Sequence, residues 1–232
     1  MAEEGLRIAE TVNTPFILID ACYGVSIVYL RQGDVQRAIP VLERATSLCQ
    51  DWHISLLLPR QAAALGVAYA LEGRVAAGLA LVEHGVEQAV ASGRPGFLVP
   101  SIAYLSEAYL LADRLEDACR RAAQALDLAR QYQYRGEQAW ALWLLGESTA
   151  RQASPEGEPA VSHYRQALAL AEELGMRPLA AHCHRGLGVL YAAMGQREQA
   201  RATLTTAIDL YRAMDMTFWL PQAEAALAQV VG

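Results

Sequence analysis

Lysine is absent from this 232-residue sequence, and Asn13 is its only asparagine. All 19 basic residues are arginine, against 25 Asp and Glu, so the net charge is −6. Without lysine the chain cannot by itself form a Walker A loop, a Schiff base or the phosphate clamp of a protein kinase. Without a basic excess it lacks the electrostatic footprint of a nucleic-acid-binding protein. Lysine-dependent catalysis is therefore excluded, and DNA or RNA is not expected as a partner.

Cysteine and long apolar runs are also scarce. The four cysteines form no C-x-x-C pair and no metal-site spacing, so they are interpreted as buried thiols of a reducing compartment. They are Cys22, Cys49, Cys119 and Cys183. The acidic start of the chain lacks the basic and apolar regions of a signal peptide. The longest uncharged apolar runs, residues 21–30 and 62–71, are half as long as the roughly 20 residues that a membrane span needs. A cytoplasmic protein without a membrane partner is expected.

A repeat of about 40 residues organises the chain. Small residues recur at Ser26, Gly66, Ser106, Gly146 and Gly188. A tyrosine follows each of them three positions later, except that Thr149 stands in the fourth repeat. Further columns of small residues follow 12 to 14 and 19 to 21 positions after the first. Turn residues such as Gly33-Asp34 and Gly73-Arg74 separate two apolar-periodic runs, which predicts a helix, a tight turn and a second helix in each repeat.

Small residues at fixed positions indicate close helix packing, because only they let two helix backbones approach. A single helix pair cannot bury its apolar face, so the pairs are expected to stack. The pattern predicts eleven helices, at about 16–32, 35–50, 56–72, 75–92, 98–112, 115–133, 137–152, 159–174, 178–194, 197–214 and 219–230. Two extra residues in the fourth repeat are assigned to a loop at Ala153–Pro159.

The columns resemble the tetratricopeptide repeat family. Its pattern is carried by Gly33-Asp34-x-x-x-Ala38 with Ala45, and again by Gly66-x-x-Tyr69-x-x-x-Gly73 with Gly78 and Gly85. The period here is 40 to 42 residues in place of about 34, which implies longer helices. The resemblance implies an all-α fold, a right-handed superhelical solenoid of stacked antiparallel helix pairs.

The same register divides residues 1–232, taken as one solenoid domain. A partial leading helix occupies 1–13, and a capping helix occupies 218–232. The five repeats are predicted at about 16–51, 54–93, 97–135, 137–175 and 178–215.

Two further resemblances concern the origin of the chain. Residues 174–219 are similar to the C-terminal repeat region of bacterial multidomain signalling ATPases, some of which are fused to nucleotide-cyclase or transcription-regulator domains. Residues 6–16 are similar to the ends of later second helices, such as residues 87–97. The sequence is therefore interpreted as a fragment of a larger bacterial signalling protein.

Catalytic and metal-binding patterns receive little support. Gly186-x-Gly188 lacks the preceding strand and third glycine of a dinucleotide-binding loop, and no G-x-S-x-G elbow occurs. His182-Cys183-His184 has metal-ligating residue types, but on a helix the two histidines point about 200° apart. A metal site there would need a ligand from another helix and is the minor alternative. No enzymatic activity, cofactor or bound metal is expected.

In the tetratricopeptide repeat family, which this sequence resembles, the first helix of each repeat lines the inner surface of the superhelix. Carrying that register over predicts eight partner-binding residues, namely Tyr23, Arg60, Glu107, Trp140, Trp143, Glu147, His182 and Arg185. Trp140 and Trp143 share one helix face, and an exposed aromatic pair often anchors a partner, although both could instead be core residues. The carboxylate clamp of some family members requires inward lysine and asparagine, so it is not expected here.

The leading hypothesis is a non-catalytic module that binds a protein or peptide segment, which could be another domain of its parent chain. The alternative is a sensor that binds a small metabolite near Trp140 and Trp143. Self-association through the N-terminal end is also expected, because only residues 1–13 are available to shield the apolar run Phe16–Ile19.

Overall fold

The computed structural model describes residues 2–12, 14–152 and 158–231. Every regular element in these ranges is an α-helix, which confirms the predicted all-α fold. The chain divides into two compact units, unit 1 at Met1–Asp113 and unit 2 at Arg114–Gly232. Treatment of residues 1–232 as one domain stays a prediction.

Unit 1 contains the first six helices. They are α1 (Ala2–Val12), α2 (Pro15–Gln32), α3 (Val35–Asp51), α4 (Leu58–Leu71), α5 (Val75–Ser92) and α6 (Pro95–Leu111). Unit 2 contains the other six described helices. They are α7 (Leu115–Gln131), α8 (Arg135–Arg151), α9 (Glu158–Glu173), α10 (Arg177–Ala193), α11 (Arg197–Ala213) and α12 (Leu220–Val231). All eleven predicted helices are confirmed, with ends within three residues of the prediction, and α1 is the leading helix.

Residues with positive φ mark the turns and recur about every 20 positions. They are Gly33, His53, Gly73, Gly93, Asp113, Gln133, Gly175, Gly195 and Asp215. A left-handed residue at a helix end turns the next N–H groups back onto the last carbonyls, and Gly33 N–H donates to Leu30 O at 3.1 Å in this way. The predicted turns at Gly33 and Gly73 are thereby confirmed. The predicted loop at Ala153–Pro159 lies at residues 153–157 outside the described ranges.

The column of small residues serves a different purpose in each unit. In unit 1, a Cβ on Gly66 would stand 2.5 Å from Gly78 O and 2.9 Å from Val82 N, so α4 and α5 cross backbone to backbone, as predicted. In unit 2, a Cβ on Gly146 would stand 2.8 Å from the ring of Tyr164. The glycine there makes room for a side chain instead of a backbone.

The N-terminal apolar run Phe16–Ile19 is only partly covered. Leu6 and Ala9 of α1 pack on a buried cluster that includes Leu18, and Ile19 is buried separately against Cys49 and Leu57. Phe16 and Ile17 remain 44% and 49% exposed. Helix α1 therefore shields Leu18 but leaves the first two apolar residues of α2 open to solvent.

Candidate functional site

The first helices of the repeats in unit 1 bring together a group of arginines, acids and aromatic rings. This unit 1 cluster consists of Asp20, Tyr23, Arg31, Arg60, Phe97, Tyr104 and Glu107. Its members lie on α2, α4 and α6, which are non-adjacent in sequence but occupy the same place in successive repeats.

Arg60 occupies one end of the unit 1 cluster. Its guanidinium lies 4.5 Å from the ring centroid of Tyr23 and 5.6 Å from that of Phe97, and it pairs with Asp20. An arginine guanidinium over an aromatic ring is attracted by the ring quadrupole, whose face is negative. Burial lowers the pKa of Arg60, and its Nε–H has no hydrogen-bond partner among the described residues.

The other end of the cluster is an ion pair. Arg31 Nη1 donates to Glu107 Oε2 at 3.0 Å, and the Arg31 guanidinium lies 5.3 Å from the ring centroid of Tyr104. The Tyr23 and Tyr104 hydroxyls are 3.4 Å apart, which joins the two ends. Each arginine has an acidic partner, so the cluster presents aromatic and polar groups without a net charge.

Unit 2 contains a second group with more aromatic rings. This unit 2 cluster consists of Trp140, Trp143 and Glu147 on α8, Tyr164 on α9, His182 and Arg185 on α10, Tyr211 on α11, and Trp219 just before α12.

Hydrogen bonds join the polar members of the unit 2 cluster. Glu147 Oε1 accepts from Tyr164 OH at 2.8 Å and from Arg185 Nη2 at 3.2 Å, while His182 Nδ1 and Tyr211 OH lie 2.8 Å apart. Burial opposes the charge on Arg185, but Glu147 and both tyrosines outweigh it and hold the guanidinium pKa above its ordinary value. Burial also raises the pKa of Tyr211. Arg185 is therefore a permanently charged, anchored group.

Aromatic rings surround His182. Its ring centroid lies 5.5 Å from Trp143, 5.6 Å from Tyr211 and 4.9 Å from Trp219. Trp140 contacts Trp143 edge to face at 5.6 Å. Such contacts contribute about 0.5–1.5 kcal/mol each beyond the area that they bury.

Three N–H groups of the unit 2 cluster are buried without an acceptor among the described residues. They are Trp143 Nε1, Trp219 Nε1 and Arg185 Nε. A buried donor that lacks a partner costs about 1–3 kcal/mol, so buried polar groups are normally paired. The cluster therefore holds unused hydrogen-bonding capacity, all of it on donors.

All eight predicted site residues fall within the two clusters. Tyr23, Arg60 and Glu107 meet in unit 1, and the other five meet in unit 2. Their roles in binding stay predictions. The expectation of an exposed tryptophan pair is wrong for Trp143, which is 6% exposed, and the inward-facing His182 is only 2% exposed. The rings of Tyr211 and Trp219 pack against His182 and close this part of the surface.

Sequence reasoning missed an interaction that recurs between helices. Three of the four column tyrosines, interpreted as groove fillers, donate a hydrogen bond to a glutamate 26 residues upstream. Tyr29, Tyr69 and Tyr109 bond to Glu3, Glu43 and Glu83 at 2.5–2.9 Å, and Tyr191 OH accepts from Arg165. Where Thr149 replaces the tyrosine, the residue 26 positions upstream is Ala123. The glutamate column at 40-residue spacing was the available signal.

The His182-Cys183-His184 segment separates as its helical geometry predicts. His182 faces Tyr211 on α11, Cys183 is buried, and the charge of Glu172 on α9 acts on His184. Nowhere in ranges 2–12, 14–152 and 158–231 do three His, Cys, Asp or Glu side chains group so that they could hold a metal ion. No helix among the described residues is both long and apolar enough for a membrane span.

An open cavity of about 660 Å³ lies elsewhere in unit 2, between the end of α10 and α12. Arg197 lines it and donates to the Val230 carbonyl at 2.7 Å, which caps the last turn of α12. None of the eight predicted site residues lines this cavity.

Comparison with known proteins agrees with the fold and the repeats. Residues 19–51 and 158–213 each match a family model described as tetratricopeptide repeat, so the chain carries tetratricopeptide repeats. No curated protein matches the sequence. Repeats of this type are generally protein–protein interaction scaffolds and are typically non-enzymatic.

Solved structures with similar folds cover nearly the whole chain. BtubC (BKLC) from P. vanneervenii has 18% identity and a TM-score of 0.62, over 92% of this chain and 89% of that one. The apo form of RapI has 13% identity and a TM-score of 0.60, over 97% and 88%. A putative kinesin light chain of Podospora anserina with nearly identical TPR-like repeats has 19% identity and a TM-score of 0.55, over 89% and 98%. The fold is thus an all-α helical-repeat solenoid.

Proposed function

We propose that this chain is a non-catalytic interaction module, in which the unit 1 cluster and the unit 2 cluster are each a binding site for a peptide segment of a partner protein. The observation that supports this most directly is the composition of the clusters. Each combines aromatic rings with an anchored arginine, and both residue types are enriched among the residues that dominate binding energy at protein interfaces.

Charge pairing argues for a peptide over a nucleic acid or a polyanion. Arg31 pairs with Glu107, Arg60 with Asp20 and Arg185 with Glu147, so neither cluster offers an unbalanced basic surface. Partial exposure of Tyr23, Trp140 and Arg185 keeps groups of both clusters within reach of a ligand. A surface of this kind suits the mixed polar and apolar groups of a polypeptide.

The wider context also belongs to this proposal. The resemblance of residues 174–219 to bacterial signalling ATPases supports a cytoplasmic role as the repeat region of a larger signalling protein, with the partner segment in another protein or in the parent chain. A metabolite sensor is the competing hypothesis. The unit 2 cluster favours it less, because His182 packs on Trp143, and Tyr211 and Trp219 in turn pack on His182, where a small ligand was expected.

The test is selection of displayed random peptides on the immobilised chain, followed by titration of the selected peptides. Trp140→Ala should weaken binding at unit 2 about tenfold or more, as expected of an interface anchor. Trp52→Ala, which changes a 60% exposed tryptophan of unit 1 outside its cluster, is the matched control and should leave affinity unchanged. Failure to select any peptide, together with a thermal shift from a small metabolite, would favour the sensor instead.

A further inference from the structure

The three unpaired N–H groups of the unit 2 cluster constrain the chemistry of its partner. Trp143 Nε1, Trp219 Nε1 and Arg185 Nε can only donate hydrogen bonds. Within the described ranges, no buried side-chain acceptor of this cluster is left unpaired. Glu147 Oε1 already accepts two hydrogen bonds. The buried unpaired groups therefore favour a segment that brings hydrogen-bond acceptors.

Charge does not select the partner at this site. Arg185 is neutralised by Glu147 at 3.2 Å, and their side chains are equally shielded from solvent. An acidic segment would approach Glu147 as well as Arg185, and a basic segment would approach Arg185 as well as Glu147. The property that distinguishes possible partner segments is therefore whether they offer hydrogen-bond acceptors or donors.

An ordinary peptide backbone carries one N–H for every C=O, so at this cluster its N–H groups would be buried without acceptors. Proline has a carbonyl but no N–H, and its ring fixes φ near −65°. Proline-rich segments adopt the polyproline II helix, whose carbonyls point outward unpaired, and they bind aromatic-lined surfaces with little loss of conformational entropy.

We propose, as a refinement that rests on the proposed function, that the unit 2 cluster binds a proline-rich segment of a partner protein. Backbone carbonyls of the segment accept hydrogen bonds from the two indole N–H groups and from Arg185 Nε. The proline rings pack on Trp140 and Phe218, which contact Trp143 and Trp219 edge to face at 5.6 and 4.8 Å. Since the three N–H groups are covered in the free chain, binding displaces part of this cover and changes the tryptophan environment.

The unit 1 cluster lacks this donor excess. Beside Arg60, the fully buried side chain of Gln61 leaves both its Oε1 acceptor and its Nε2 donor unpaired within the described residues. Unit 1 therefore has unused groups of both types, and no preference for proline follows there.

The experiment titrates the intact chain with three blocked ten-residue probes, followed by tryptophan fluorescence and calorimetry. The probes are Ac-(Pro)10-NH2, Ac-(Gly-Ser)5-NH2 and Ac-(Glu-Ala)5-NH2. Saturable binding of the proline probe is expected, at least about tenfold tighter than binding of the other two, since three hydrogen bonds are gained and no N–H group of the probe is buried without an acceptor.

Variants that delete single N–H groups separate hydrogen bonding from ring packing. Trp143→Phe and Trp219→Phe keep an aromatic ring, and each should weaken binding of the proline probe about fivefold, which corresponds to one neutral hydrogen bond. Trp52→Phe makes the same chemical change in unit 1 and should have no effect. Circular dichroism checks folding, and Trp219→Phe at a half-buried site carries the test if Trp143→Phe unfolds.

Three results would overturn the proline proposal. They are equal binding of the Gly-Ser probe, tighter binding of the acidic probe, and an unchanged affinity in both Trp→Phe variants. If the proline probe fails while a displayed peptide of another composition binds through Trp140, the proposed function stands and only the refinement fails. If no peptide binds at all, both fail.

Discussion

Units 1 and 2 share one repeat framework but differ in charge and in the chemistry of their clusters. Unit 1 has 7 Arg against 12 Asp and Glu, a net charge of −5, whereas unit 2 has 12 Arg against 13, a net charge of −1. The unit 1 cluster stacks arginines on tyrosines, and the unit 2 cluster packs three tryptophans around His182. A shared register thus places side chains equivalently without giving them equivalent partners.

Glu107 and Glu147 illustrate the difference. They stand 40 residues apart at the same repeat position. Glu107 accepts from Arg31, which lies 76 residues upstream, whereas Glu147 accepts from Arg185, 38 residues downstream, and also from Tyr164. The paired arginine thus lies upstream of one glutamate and downstream of the other, because each glutamate pairs with the arginine that a nearby first helix carries within reach.

Removal of residues 1–13 should have the largest effect, since it takes α1 off the core of unit 1. Leu18 and Cys22 lose the cover of Leu6 and Ala9, which should cost about 3–5 kcal/mol and expose a continuous apolar surface. Light scattering should show sharply increased self-association.

Within the truncated chain, Phe16→Glu or Ile17→Glu should reduce that self-association, because both residues are exposed. A truncated chain that stays monomeric in sedimentation would contradict the prediction. It would mean that the N-terminal end of unit 1 does not promote self-association more than unit 2 does.

Replacement of Gly66 or Gly188 by alanine should distinguish a glycine that contacts the backbone of the next helix from one that contacts a side chain. Gly66→Ala places a Cβ against backbone atoms of α5 that cannot yield, and it should lower the free energy of unfolding by about 2–3 kcal/mol. Gly188→Ala meets Cγ of the buried Leu204 side chain at 2.6 Å and the Leu204 backbone N only at 3.2 Å, so it should cost less than Gly66→Ala, about 1–2 kcal/mol.

Gly24→Ala is the matched control for both glycine variants, because nothing lies within 4 Å of a Cβ at that helical position. It should stabilise the chain by up to about 1 kcal/mol through helix propensity. Urea unfolding measures all three variants. Equal losses for Gly66→Ala and Gly188→Ala would show that the two units pack alike at this column.

Glu147→Gln and Glu107→Gln compare the two ion pairs with the same chemical change. Glu147 serves two donors and Glu107 one charged donor, so Glu147→Gln should cost about 1–2 kcal/mol and Glu107→Gln about half of that. Chemical denaturation is the measurement. A larger loss at Glu107 would indicate that the unit 1 cluster is the more tightly coupled of the two.

The smallest effect concerns pH and unit 2. Burial lowers the pKa of His163 and His184 below the ordinary value of 6.5. At a pH between the lowered pKa of the folded chain and 6.5, these histidines bind more protons in the unfolded chain than in the folded chain. Their contribution to stability is therefore fully present above pH 6.5 and is lost as the pH falls. The free energy of unfolding should therefore decrease as the pH falls from 7 to 5.

In the double variant His163→Gln/His184→Gln, the free energy of unfolding should depend less on pH between pH 7 and pH 5. Above pH 7, the difference in this free energy between variant and wild type should stay constant. Thermal unfolding at a series of pH values provides the readout. If the variant keeps the full slope, the pH dependence originates in other groups.

The eight predicted site residues show how far sequence reasoning reaches. Their assignment to first helices put Tyr23 and Arg60 on one predicted surface, because the first helices of neighbouring repeats stack. It put Trp140 beside Trp143 because residues three apart on one helix share a face. It could not foresee that Trp219, beyond the last repeat, would pack on His182 and help to bury it. No periodicity links that residue to the columns.

The sequence by itself determined the helices, the turns near every twentieth residue and the close crossing at Gly66 and Gly78. These follow from local apolar periodicity, turn chemistry and side-chain size, which are readable one segment at a time. The tertiary structure alone decided which acid each arginine pairs with and which tryptophan N–H groups are left unpaired. Those outcomes depend on side chains from helices up to 76 residues apart, whose approach is set by the packing of the whole unit.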